Sequence, residues 1–168
     1  LIRHERNKME RQLTRIDYVR QHLDRMLKSH KDPETSRNGY VHLYGVGQAC
    51  ALIALSRGHN RQYAELAEIA GMLHDYSKYY ECIEEKHAEK SSIEARKILS
   101  AIGRFTDMEI ETICHAILRH SDKNSVDNEF DEILIDADEM QHWLRNPTED
   151  YFFDKERTRK IAEEFGLV

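Results

Sequence analysis

From Ile16 to Phe165 the apolar residues of this chain return every three or four positions, and no segment alternates with a period of two. That pattern restricts the chain to helices packed on helices. Ile16, Val19, Leu23 and Leu27 form a first stripe, broken at SHKDPETSRNG, where Pro33 and Gly39 mark a loop. A second helix is expected from about Tyr40 to Ser56, with Val46, Cys50, Ile53 and Ala54 on one face and Gly58 as its stop. The third runs from about Gln62 to Asp75 through Tyr63, Leu66, Ala67, Ala70 and Leu73. Ser91 to Ile102 carries Ile93, Ile98, Leu99 and Ile102. Thr106 and Glu109 form a capping box opening a helix through Ile110, Ile113 and Ile117. Further helices span about Phe130 to Leu144 and Lys155 to Phe165. With no internal repeat or low-complexity tract, the fold expected is an all-α, multi-helix bundle.

A length of 168 residues suits one domain with a single core, and 40% hydrophobic against 33% charged residues describes a globular chain with a well-solvated surface. The net charge of -6 argues against general nucleic-acid binding, which needs a basic face, while leaving room for a small nucleotide held through a metal. Cys50, Cys82 and Cys114 lack CxxC spacing and read as reduced, mostly buried thiols of a cytoplasmic protein. No apolar run reaches a membrane span and no signal peptide is recognised; the start at Leu1 reads as a trimmed beginning. Of ten histidines, His4, His22, His30, His59 and His142 lie among polar neighbours and are expected at the surface.

The third helix, in the stretch LAEIAGMLHDYSKYY, ends its apolar stripe in His74-Asp75, with Lys78 three residues beyond. His42 lies between Val41 and Leu43, and EILIDADEM carries Asp136 and Asp138 within an apolar helix. An isolated buried carboxylate is costly, so it is normally paired or bound to a metal. Two histidines and two aspartates drawn from three helices suit a divalent transition metal such as Mn, Fe, Co, Ni or Zn. Taken singly, each has an ordinary explanation. His42 reads as a core or cap histidine, His74-Asp75 as a helix C-terminus, Lys78 as a solvated lysine and either acid as a salt-bridge partner. Spacing alone leaves both readings open.

In order and approximate spacing, His42, then LHDYSK with His74, Asp75 and Lys78, then DAD ending at Asp138 resembles the signature of the HD-domain superfamily of metal-dependent phosphohydrolases. The resemblance covers about Tyr40 to Leu144, and AILRHSDK and HAEKSSIEA resemble segments of its small single-domain bacterial members. It implies one HD domain over residues 1–168, with a core at about 40–144 and helices 1–30 and 155–165 packed on it. It also implies a metal held by His42, His74, Asp75 and Asp138, one ion with room for a second. His87 and His120 resemble the extra histidines that hold a second metal in the binuclear branch; otherwise they contact phosphate or donate a proton. Asp138 is chosen over Asp136 because the family ligand is usually the last acid of the motif. Two residues on a helix turn the side chain by about 200°, so the two acids do not reach one ion. Asp136 is expected to orient a ligand histidine. His115, about 140° around the helix from His120, reads as structural.

The resemblance further implies cleavage of a phosphoester or phosphoanhydride in a nucleotide or small phosphorylated metabolite by metal-activated water. Asp75, Lys78 and His120 are the expected catalytic residues, Lys78 supplying charge to the phosphate. Related sequences often carry Lys or Arg, then Asp, where this chain has Glu139 and Gln141, which shifts phosphate binding towards Lys78 or Arg119. Ser121-Asp122 replace the glycine of the diadenosine tetraphosphate hydrolase branch, so that substrate is not carried over. The alternatives are a metal- and nucleotide-sensing module without turnover and a di-iron oxygenase. GVG at Gly45 to Gly47 follows no strand and reads as tight helix packing. DNEFDE reads as a loop and helix start, and YFF at Tyr151 to Phe153 as an anchor for the last helix or a contact in a homodimer. Neither a membrane nor a nucleic-acid polymer is an expected partner.

Overall fold

The computed structural model describes residues 12–82, 84–122, 128–149 and 155–168, and these contain helices and no strand. Helix α1 (Arg15–Lys28) opens on a capping box between Thr14 and Asp17 and buries Ile16, Val19, Leu23 and Leu27, as their spacing predicts. Helix α2 (Pro33–Ser56) starts seven residues earlier than expected. The Asp32 carboxylate accepts from the Glu34 and Thr35 amides, and Pro33 takes the first helical position, where its fixed φ fits and its missing N–H costs nothing. Pro33 therefore starts a helix instead of marking a loop. Gly39 lies inside that helix because any side chain there would run into Leu27 and Tyr79.

Helix α3 (Arg61–Leu73) is capped by Asn60 and packs along α2. At their contact, a Cβ on Gly71 would lie 2.7 Å from the Gly47 Cα, closer than side-chain atoms pack. The two glycines let the backbones meet, the tight packing that GVG suggested. Helix α3 ends at Leu73, and Asp75 immediately precedes a short α4 (Tyr76–Glu81) without capping it through its side chain. His74-Asp75 thus forms the joint between two helices.

Helix α5 (His87–Ile102) begins four residues before the expected Ser91 and buries Ala88, Ser91, Ala95, Ile98 and Leu99. Ile93 falls off that face and is 49% exposed, so it is not a core residue. Helix α6 (Asp107–Arg119) opens on the expected Thr106–Glu109 box and buries Ile110, Ile113 and Ile117. Helix α7 (Glu129–Arg145) is buried on most of its faces, packed against α2, α3, α6 and α8 (Glu156–Glu164). The eight helices of the described residues all contribute to one apolar core.

Cys50 and Cys114 are buried, but Cys82 is exposed at the left-handed end of α4. His22, His30 and His59 are half-buried and not fully at the surface. His22 hydrogen-bonds the Tyr76 hydroxyl at 3.1 Å, His30 donates to the Tyr79 carbonyl, and His59 stacks on Tyr63. His4, YFF and residues 1–11 of the expected first helix lie outside the described residues. Among the described residues, no helix is long and apolar enough to cross a membrane.

The α2–α3 contact is testable. Gly71→Ala is expected to cost about 2 kcal/mol because the new methyl meets backbone, which cannot rotate away. A thermal melt of this variant that matches the unmodified chain would show that α2 and α3 do not approach this closely.

Candidate metal centre

Four imidazoles meet where α2, the α3–α4 joint, the start of α5 and the end of α6 converge. Each has its Nδ1 tied to an oxygen that only accepts. His42 Nδ1 lies 2.8 Å from the Gln141 Oε1, and His74 Nδ1 2.7 Å from the Gly71 carbonyl. His120 Nδ1 lies 2.6 Å from the Ile117 carbonyl and His87 Nδ1 2.9 Å from that of Glu84. The proton must sit on Nδ1 to make these bonds, so a neutral ring presents a bare Nε2 lone pair. The His42 and His74 Nε2 atoms stand 3.2 Å apart. With both rings neutral, neither has a proton to offer the other.

The carboxylates complete the arrangement. Asp75 Oδ2 lies 3.5 Å from His42 Nε2 and 3.6 Å from His74 Nε2. Its other oxygen, Oδ1, lies 3.4 Å from both His87 and His120 Nε2. Asp138 Oδ1 lies 3.6 Å from His42 Nε2 and 3.7 Å from His74 Nε2. Bonds of about 2.1 Å to one first-row ion separate neighbouring ligands by about 3.0 to 3.4 Å, close to these spacings. Asp75 Oδ1 is buried and has no hydrogen-bond partner among the described residues. Lone pairs and negative charge facing one another across a buried pocket fit a cation.

The charge states agree. Burial pushes the Asp75 carboxyl up, yet His74, His120 and His42 outweigh it and hold the group well below the usual carboxylate range. Asp138 is likewise pushed up by burial and held low by His142, His74 and His42. Burial drives His74 down to about 4 against the pull of Asp75, which keeps it neutral and ready to ligate. His42 moves the other way: burial lowers it, but Asp75, Asp138 and Gln141 together raise it. A proton on His42 and a cation in the pocket answer the same negative field.

The structure therefore brings together His42, His74, Asp75, Asp138, His87 and His120. Lys78 stands at the partly open rim, 3.6 Å from Asp75 Oδ2 and 3.2 Å from Glu84 Oε2. Burial works against its charge, but Asp75 and Glu84 keep its pKa above the ordinary lysine value. Arg119 pairs with Asp122 at 3.0 Å. His115 lies outside this cluster, its Nδ1 2.9 Å from Asp131.

Asp136 orients no ligand histidine. Its oxygens are bound by Arg57 at 2.7 Å and Arg157 at 2.6 Å on the opposite side of α7, an ion-pair set that ties α7 to α2 and α8. Three residues of the site were not anticipated. Gln141, noted only as a departure from related sequences, positions His42. The Ser121 hydroxyl lies 3.1 Å from His87 Nε2 and 3.4 Å from His120 Nε2. His142, expected at the surface, places Nε2 3.3 Å from Asp138 Oδ1. Its position four residues after Asp138 was the available signal, since i and i+4 share a helix face.

The family model of the HD domain matches residues 39–143. No curated protein and no solved structure matches the chain.

Gln141 and Asp136 separate the site from its scaffold. Gln141→Ala frees the His42 ring and is expected to weaken manganese binding about tenfold or more, whereas Asp136→Asn leaves it unchanged. Isothermal titration with Mn(II) distinguishes them; equal effects would contradict this division of roles.

Proposed function

The chain belongs to the HD-domain family, and on that premise we propose that it is a metal-dependent phosphohydrolase acting on a nucleotide or another small phosphorylated metabolite. The observation that carries this reading is the Asp75 carboxylate, which turns one oxygen to His42 and His74 and the other to His87 and His120. His42, His74, Asp75 and Asp138 would hold a first divalent ion; Asp75, His87 and His120 would hold a second. Bound there, such an ion lowers the pKa of a coordinated water towards neutrality and polarises a phosphoryl oxygen.

The chain's own groups do the rest. Asp75 accepts a hydrogen bond from the attacking water and fixes its direction. Lys78 keeps its charge at the rim and reaches for phosphate as a mobile cation, exchanging Glu84 for the substrate. With only the first position filled, His120 is free to take up a second proton at Nε2 and, as imidazolium, to give it to the leaving oxygen, its ring held by the Nδ1 bond to the Ile117 carbonyl. A net charge of -6 supports a small substrate over a nucleic-acid polymer, whose phosphates would be repelled along their length.

Phosphate release from a panel of nucleotides in the presence of Mn(II) tests the reading. Asp75→Ala is expected to lower the rate at least about 100-fold while leaving the helical circular dichroism intact. Undiminished turnover in this variant would contradict the mechanism. Oxygen uptake by the iron-loaded chain in place of phosphate release would shift the reading to a di-iron oxygenase.

A further inference from the structure

One imidazole at the site has no part in the scheme above. His142 lies in the last turn of α7, four residues after Asp138, with its Nε2 3.3 Å from Asp138 Oδ1. One ring nitrogen of His142, one Asp138 oxygen and one His42 nitrogen all lie within 4.8 Å of one another. The ring centroids of His42 and His142 are 5.0 Å apart, the same separation as those of His42 and His74. What sets His142 apart is exposure: its side chain is 41% accessible, against 4% for His42 and 0% for His74.

We propose that His142 is an additional ligand to the ion held by His42 and Asp138, placed on the solvent side and yielding its position to a phosphate oxygen when substrate enters. This rests on the metal-holding reading of the site. The 3.3 Å between His142 Nε2 and Asp138 Oδ1 is that between neighbouring ligands of one first-row ion, whose bonds of about 2.1 Å place cis or tetrahedral partners about 3.0 to 3.4 Å apart. Such an ion accepts five or six ligands, so four from His42, His74, Asp75 and Asp138 leave room for a further one. The buried ligands are locked by packing and by their Nδ1 bonds. His142, on a half-open flank with its side chain 41% accessible, lies outside that packed set. Exchange breaks one nitrogen–metal bond and forms one oxygen–metal bond, and no proton or electron is transferred. The ion is thereby kept from adventitious anions until a phosphate group competes for it.

The alternative is that His142 merely donates a hydrogen bond to Asp138 and positions it. Cobalt(II) separates the two, because its visible absorption reports ligand number and type. The full, tag-free chain is titrated with Co(II) as it stands, as His142→Ala and as His142→Gln, with circular dichroism as the check on folding. Loss of a ligand predicts a changed absorption band in both variants and binding weakened about tenfold or more. Free imidazole should restore the original band in His142→Ala, and inorganic phosphate added to the unmodified chain should shift its band as the substitution does. Glutamine still donates a hydrogen bond, so an unmodified band in His142→Gln would overturn the proposal, as would one in His142→Ala. Failure of the unmodified chain to take up Co(II) at all would overturn the metal-holding reading along with it, whereas uptake with variant bands identical to the unmodified one would sink the His142 ligand alone.

Discussion

Four imidazoles whose Nδ1 protons are committed to fixed oxygens leave four Nε2 lone pairs facing two buried carboxylates. Taking even one carboxylate from water costs several kcal/mol, and Lys78 at the rim and His142 beside Asp138 each face one of the two carboxylates, so the inward oxygen of Asp75 between the imidazoles is left to a cation. A divalent ion turns the same arrangement from a liability into a rigid, preorganised site. The depressed carboxyl groups and the neutral His74 are the protonation states that such an ion needs. Much of the surrounding architecture serves to hold these groups against that cost.

The glycine contact between Gly47 and Gly71 sets α2 beside α3, and the carbonyl of Gly71 receives the His74 proton. One close approach therefore fixes a helix pair and a ligand tautomer together. The joint at His74-Asp75 turns successive side chains in different directions, so the histidine serves the first cluster while the carboxylate spans both. Helix α7 carries its acids on two faces. Asp138 points into the site, and Asp136 is clamped by Arg57 and Arg157, anchoring α2 and α8 to the helix that supplies the ligand.

Helical period alone located most of the bundle, since Ile16, Val19, Leu23 and Leu27, like Ile110, Ile113 and Ile117, face the core as their spacing requires. Pro33 and Ile93 show its limits. Proline signals a break or a first turn depending on whether a cap precedes it, and Asp32 decides for the turn. Ile93 is apolar, yet the face of α5 that meets its neighbours is set by Ala88, Ser91 and Ala95, whose small side chains carry weak hydropathy signals. In the site, His74-Asp75 was legible because it interrupts an apolar stripe. The separation of Asp136 from Asp138 followed from helix geometry, but the arginines that claim Asp136 come from distant segments, and no local pattern announces them. Gln141 was missed for a similar reason, since its bond to His42 depends on how α7 rotates against α2, whereas His142 was legible in its i, i+4 spacing from Asp138 and was passed over for its polar neighbours.

Elemental analysis of the purified, tag-free chain, before and after exposure to Mn(II), tests the central claim most directly. The account predicts at least one transition-metal ion per chain, rising to two when the position beside His87 and His120 fills. No bound metal under either condition would mean that the facing lone pairs and carboxylates are satisfied by protons alone, and the account would be wrong.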